Sequence, residues 1–214
     1  MTVKSVSPIL SAGLLAIACS MIACSMASAE RATPARVLKC EGPFGRNASH
    51  ADLVKAFGSD NVVYRDVEGV EGQPIKASVV YPNDPKAKLE VIWSDEKARR
   101  GPQVWVKDQS TWAAANRIRI GTPLAEVQQL NGKPFKLTGF DWDYGGRVTD
   151  WQGGALVKPQ PGGCIISVEF VHPEDAPDTN LTKVSGDSEF LSDSADMLAV
   201  EPYVGAVTIA YPKR

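Results

Sequence analysis

Of the chain's four cysteines, only Cys40 and Cys164 lie beyond its apolar N-terminal segment. A bond between them would tie the opening of the folded region to a late strand. Two cysteines in an exported chain permit a single intramolecular pairing. Closing so long a loop stabilises by on the order of 4–5 kcal/mol through restriction of the unfolded chain. Neither position has a second cysteine or a basic cluster beside it, so the pair reads as structural and not as a reactive thiol.

The pairing presumes export, for which residues 1–29 supply the signal. Lys4 is their only charge, an apolar run extends from Ile9 to Ala18 and from Met21 to Ala23, and Ala27-Ser28-Ala29 precedes Glu30. A basic start, a short apolar centre and small residues at −3 and −1 match a cleavable secretory signal. Cleavage near Ala29–Glu30 would deliver the chain to the periplasm or the medium. Lipidation at Cys19 or Cys24 is a weaker alternative, because neither has Leu at the −3 position.

A remainder of roughly 185 residues can bury a core. The chain has a formal net charge of −2, and removal of Lys4 makes the remainder more acidic. That excludes the basic stripe a nucleic-acid binder needs. Residues 172–201 are rich in Asp, Glu and Ser and are expected to form an exposed acidic excursion. The run Arg99-Arg100-Gly101-Pro102 is expected to be a loop. No integral membrane span is expected after residue 29, and the oligomeric state stays open.

Two segments share one pattern. Ser49 to Gly58 and Thr122 to Gly132 each open with a hydroxyl residue able to cap a helix and carry an acid in the first turn. Each places apolar residues at helical spacing: Leu53, Val54 and Phe57 in one, Leu124, Val127 and Leu130 in the other. Each ends at a glycine suited to a C-cap, and Pro123 suits the first helical position. Strands are predicted over 76–81 and 89–93 after the first helix, and over 140–144, 147–151, 164–171 and 204–211 after the second. The fold class is therefore α+β, with short helices packed on antiparallel sheet in two tandem units, residues 30–110 and 111–214.

This tandem of short helix and small sheet resembles the secreted beta-lactamase inhibitor protein family and the small lipoprotein family of the outer-membrane assembly machinery. The stretch Ile120-Gly121-Thr122-Pro123-Leu124-Ala125-Glu126-Val127 is similar to the opening motif of the latter. Residues 131–135 and 139–146 resemble exported bacterial proteins with no assigned activity. The motifs are caps and turns, so the resemblance implies fold more than activity. Inhibitors of this fold bind through aromatic residues on an exposed sheet face, but none of those residues is carried over to a position here.

The candidate surface is the segment around Gly145-Gly146. As a two-residue hairpin turn it would oppose Tyr144 to Arg147, Trp142 to Thr149 and Phe140 to Trp151. Period-two alternation then puts Phe140, Trp142, Tyr144 and Trp151 on one side and Asp141, Asp143 and Asp150 on the other. Burying three carboxylates would be costly, so the aromatic side is expected in the core and the aspartates outside. In the sharper alternative Trp142, Tyr144, Trp151, Asp141, Asp143 and Arg147 form a partner-binding patch, with Trp105 and Trp112 contributing. The spacing from Asp141 to Gln152 lacks the final Glu of a calcium loop, and no motif calls for a metal or a cofactor. His50 and His172, the only histidines, are expected at the surface, and no hydrolase or phosphate-loop motif occurs.

Three functions fit these features. First is a non-catalytic exported protein that binds or inhibits a protein partner. The others are an envelope structural or assembly factor and a hydrolase with scattered carboxylates.

Overall fold

The computed structural model describes residues 1–2, 36–97 and 99–212, with Val70 described by its backbone only. The signal segment, its cleavage site, Cys19 and Cys24 lie outside the described residues.

Helix α1 (His50–Phe57) forms as its caps dictate. The Ser49 hydroxyl accepts the Asp52 amide, and the Asp52 carboxylate accepts the Ser49 amide at 2.9 Å. This reciprocal box satisfies two donors that the first turn leaves open. Helix α2 (Leu124–Asn131) starts differently. Pro123 is its N-cap instead of its first helical residue, and Thr122 does not cap. The Thr122 hydroxyl accepts the Arg119 amide at 3.1 Å. The open α2 donor of Leu124 goes instead to Pro202 O at 2.9 Å. Tertiary contact thus supplies what a local side chain was expected to supply.

Eleven strands occur among the described residues. In chain order they are β1 (Val37–Leu38), β2 (Val62–Glu68), β3 (Pro74–Val80), β4 (Leu89–Asp95), β5 (Arg100–Val106), β6 (Ala113–Ala114), β7 (Lys136–Thr138), β8 (Val148–Asp150), β9 (Ile165–Val171), β10 (Glu189–Leu191) and β11 (Tyr203–Ala210). The architecture is α+β. A six-stranded antiparallel sheet has the order β2-β3-β4-β5-β11-β9, a three-stranded sheet the order β10-β7-β8, and β1 pairs with β6 in parallel. Residues 34–214 cluster as one compact unit, and β5, from the first expected unit, pairs directly with β11, from the second.

The register defines two faces of the large sheet. One row runs Tyr64, Ser78, Val91, Val104, Ile209, Ile166 across all six strands. With Val80, Leu89, Trp93, Val168 and Phe170, these apolar residues join Leu53 of α1 and Leu124 and Val127 of α2 in one core. The adjacent row points the other way. It runs Val63, Val79, Glu90, Trp105, Thr208, Ser167 and turns polar along β5, β11 and β9.

Two expectations are corrected. Residues 100–102 begin β5 and are not a loop. Pro102 is tolerated because β5 pairs with β11 only from Val104 onward, so its missing donor breaks no bond on that side. Residues 172–201 are mostly exposed, as expected, but they are tied into the fold instead of looping away from it. They form helix α3 (Asp178–Leu181), β10 and helix α4 (Ala195–Leu198), and they bury Val184, Met197 and Val200. The acidic side chains alternate with enough apolar ones to anchor the segment against α2 and β7. The buried Ser192 hydroxyl accepts the Phe135 amide at 3.0 Å and donates to Gln128 Oε1 at 2.6 Å.

A disulfide joins Cys40 to Cys164, with Cα atoms 5.8 Å apart and 124 residues between them in numbering. It is consistent with an exported protein. Among the described residues no helix is long and apolar enough to cross a membrane.

Candidate functional site

The expected hairpin at residues 140–151 does not form. Leu137 of β7 pairs with Val148 of β8, and residues 139–147 make a loop between the two strands. The Phe140 backbone finds its partners in the acidic segment: its amide donates to Val184 O at 2.8 Å and its carbonyl accepts the Gly186 amide at 2.9 Å. Residues 184–186 thus occupy the ladder position expected for Trp151. Gly146 carries the loop back to the large sheet. Its carbonyl accepts the Phe170 amide at 2.8 Å, its φ is 70°, and a Cβ there would collide with the Phe170 carbonyl. Only glycine meets both demands.

Several further bonds hold the loop. The Thr138 hydroxyl donates to Tyr144 O at 2.7 Å and accepts the Arg147 amide at 3.0 Å. The Asp141 carboxylate accepts from His172 Nε2 at 3.1 Å and from the Ser185 hydroxyl at 3.2 Å. Asp141 and Tyr144 take φ values of 57° and 62°. That left-handed conformation is uncommon outside glycine and is imposed here by the surrounding bonds.

This geometry separates the aromatic residues expected on one face. Phe140 is buried, whereas Trp142 and Tyr144 are 62% and 46% exposed. Trp151 is half-buried and packs edge-on against Phe135 at 5.1 Å. Its carbonyl accepts from Asn131 Nδ2 at 3.0 Å. Trp112 is core, donating to Ala87 O at 2.8 Å. The aspartates Asp141, Asp143 and Asp150 are all exposed.

Trp142, Tyr144, Asp141, Asp143 and Arg147 border a cleft of about 670 Å³ on the polar face of the large sheet. Gln103, Trp105, Thr208 and Glu169 contribute from β5, β11 and β9, Glu68 from the end of β2, and Glu71 from the β2–β3 connection. Trp105 Nε1 is buried without an acceptor among the described residues. Lys107 Nζ sits 5.5 Å from the Trp105 ring centre and 3.0 Å from Glu90 Oε2. Arg147 lies over the Tyr144 ring at 4.9 Å, and its backbone pairs with that of Glu169 as an isolated antiparallel β-bridge. Burial raises the Glu169 carboxyl above its ordinary range, and the Arg147 charge opposes that rise.

His172 also belongs to the cleft. Its Nδ1 faces Pro173 O at 2.8 Å and its Nε2 faces Asp141, so both nitrogens meet acceptors and both are best served as donors. The Pro173 carbonyl, and then Asp141, raise its pKa against a partial loss from burial.

His50 contrasts with it. Its Nδ1 lies 2.7 Å from the fully buried Ser78 hydroxyl, which accepts from Trp93 Nε1 at 2.9 Å. Indole can only donate, which leaves the Ser78 proton available to a neutral Nδ1, an arrangement that places the ring's own proton on Nε2. Burial, reinforced by Arg99, lowers the His50 pKa. A hydroxyl this enclosed is a packing element and not an accessible nucleophile.

Sequence reasoning did not assign Glu169, Lys107, His172, Glu68 or Glu71 to the site. The signal for Glu169 was present: within the predicted strand 164–171, Ser167 and Glu169 alternate with Ile166, Val168 and Phe170. Comparisons with protein-family models, curated proteins and solved structures found no match.

Proposed function

We propose that the chain is an exported, non-catalytic protein that binds or inhibits a protein partner in the periplasm or outside the cell, using the 140–147 loop and the cleft beside it. The observation that carries this reading is the pair of large exposed aromatics, Trp142 and Tyr144, held on a loop bonded to three other segments of the chain. Aromatic side chains on a pre-ordered backbone are the usual anchors of protein interfaces, because little freedom is lost when they are covered. The disulfide and the signal-like N-terminus support the compartment.

The test is affinity capture from envelope extract, with the oxidised protein as bait and its reduced, unfolded form as control. The expected result is one dominant partner at near-equal stoichiometry, lost in Trp142→Ala with the fold retained. A partner retained by both Trp142→Ala and Tyr144→Ala, or no partner, would overturn the reading.

One observation favours a hydrolase instead. Glu169 is half-buried in the cleft, and burial keeps its proton to higher pH, as a general acid requires. This second reading predicts an activity abolished by Glu169→Gln and spared by Trp142→Ala.

A further inference from the structure

The charges around the cleft are unequally used. Each cation is already engaged: Lys107 with Glu90 at 3.0 Å, Arg147 over the Tyr144 ring at 4.9 Å, with its charge also felt by Glu169, and His172 with Asp141 at 3.1 Å. On the acidic side, Glu68, Glu71 and Asp143 are exposed and their carboxylates have no partner among the described residues. The cleft therefore presents unneutralised negative charge.

The aromatic rings show a parallel imbalance. Of the tryptophan and tyrosine rings in the cleft, Trp105 has Lys107 beside its ring and Tyr144 has Arg147 over its face. Trp142 meets no ring, no cation and no hydrogen-bond partner for its indole among the described residues, although it is flanked in sequence by two aspartates. Indole is the strongest ring receptor for ammonium or guanidinium, and nearby carboxylates add to the attraction. A neutral or anionic group would leave the three carboxylates uncompensated.

Building on the protein-binding reading, we infer that the cleft receives a basic side chain, Lys or Arg, of the partner protein, seated on the Trp142 ring and neutralised by Asp143 and Glu71. This is an ionic contact that the molecule's own cations leave open. The partner surface is accordingly basic, and association weakens as salt rises.

The probe is a blocked hexa-arginine peptide titrated into the oxidised protein, with hexa-glutamate and hexa-serine peptides as controls. The readout is the set of indole N–H resonances of the five tryptophans. Hexa-arginine is expected to shift the Trp142 resonance saturably, with Trp93 and Trp112 unmoved as reporters of the fold. Trp142→Leu is expected to weaken binding about tenfold, and Glu71→Gln with Asp143→Asn about threefold or more. Equal shifts by hexa-serine, no Trp142 shift, or undiminished binding in Trp142→Leu would overturn the inference, the last revealing only general electrostatic attraction.

The two readings fail separately. A captured partner lost in Trp142→Ala but indifferent to Glu71→Gln with Asp143→Asn would sink the basic-group inference and leave protein binding standing. Specific hexa-arginine binding with no Trp142-dependent partner would do the reverse.

Discussion

The region from α1 to β5 and the region from α2 to β11 start from the same pattern of cap, amphipathic turn and glycine, yet their strands are arranged differently. After α1 the chain passes through four consecutive strands that pair in order, β2 to β5. Local signals suffice there: the Ser49 box starts the helix, and the polar partners of His50 and Trp93 meet one another inside. After α2 the strands are shared between two sheets, and a long loop stands where a hairpin was expected. Thr122 gives up its cap to the Arg119 amide, and Phe140 pairs with residues 184–186. The region with self-sufficient local structure is closed. The region that borrows its partners from distant segments presents the exposed aromatics, and its loop overhangs a cleft that both regions line.

The disulfide bears on both regions, and its removal should have the largest effect. Cys40→Ser with Cys164→Ser is expected to cost ~4–5 kcal/mol, measured by urea denaturation under oxidising conditions. A much smaller loss would show that the shared sheet alone unites them. Next comes a contrast inside the loop. Phe140→Ala should cost about 3–5 kcal/mol, as for other buried aromatics, whereas Trp142→Ala should stay within about 0.5 kcal/mol of the parent. Comparable losses would erase the distinction between anchor and exposed ring. Ser49→Ala should destabilise by about 1 kcal/mol, because α1 has no substitute for its box.

The smallest effect concerns pH. His50 has a folded pKa below its ordinary 6.5, so the unfolded chain binds the extra proton more readily, and stability falls as pH drops through and below that value. His172 has a folded pKa above 6.5, so its contribution is full below that value and fades as pH rises through the folded pKa. Stability profiles of His50→Gln and His172→Gln should lose opposite limbs. A shared limb would mean that the two rings do not differ as their hydrogen bonds indicate.

Legibility in the sequence divides along the same line. Ser49, Gly58 and the strand-forming runs over 76–81 and 89–93 are local codes, and the α+β class and the cysteine pair came from equally simple arguments. Gly145-Gly146 was also a local code, but it was outvoted. Gly146 is needed for close approach to Phe170, and Phe140 bonds to a segment more than 40 residues later in the chain. No neighbouring residue announces either contact. Trp142 and Tyr144 were expected in the core and named for the site only in the alternative reading; they are exposed because the hairpin register that would have buried them does not form. Glu169 needed the register of β9 and β11 before its position in the cleft was visible.

The placement of β11 has a consequence for the order of assembly. It is the last strand among the described residues, yet it lies between β5 and β9 and pairs with both. Until synthesis has passed residue 210, β5 and β9 have no strand to join them. Closure of the sheet therefore waits on pairing between β5 and β11, strands far apart in the chain, and contacts of such range are slow to form. An incomplete chain leaves the cleft without its β11 floor, so the recognition proposed for that site would be acquired only with β11.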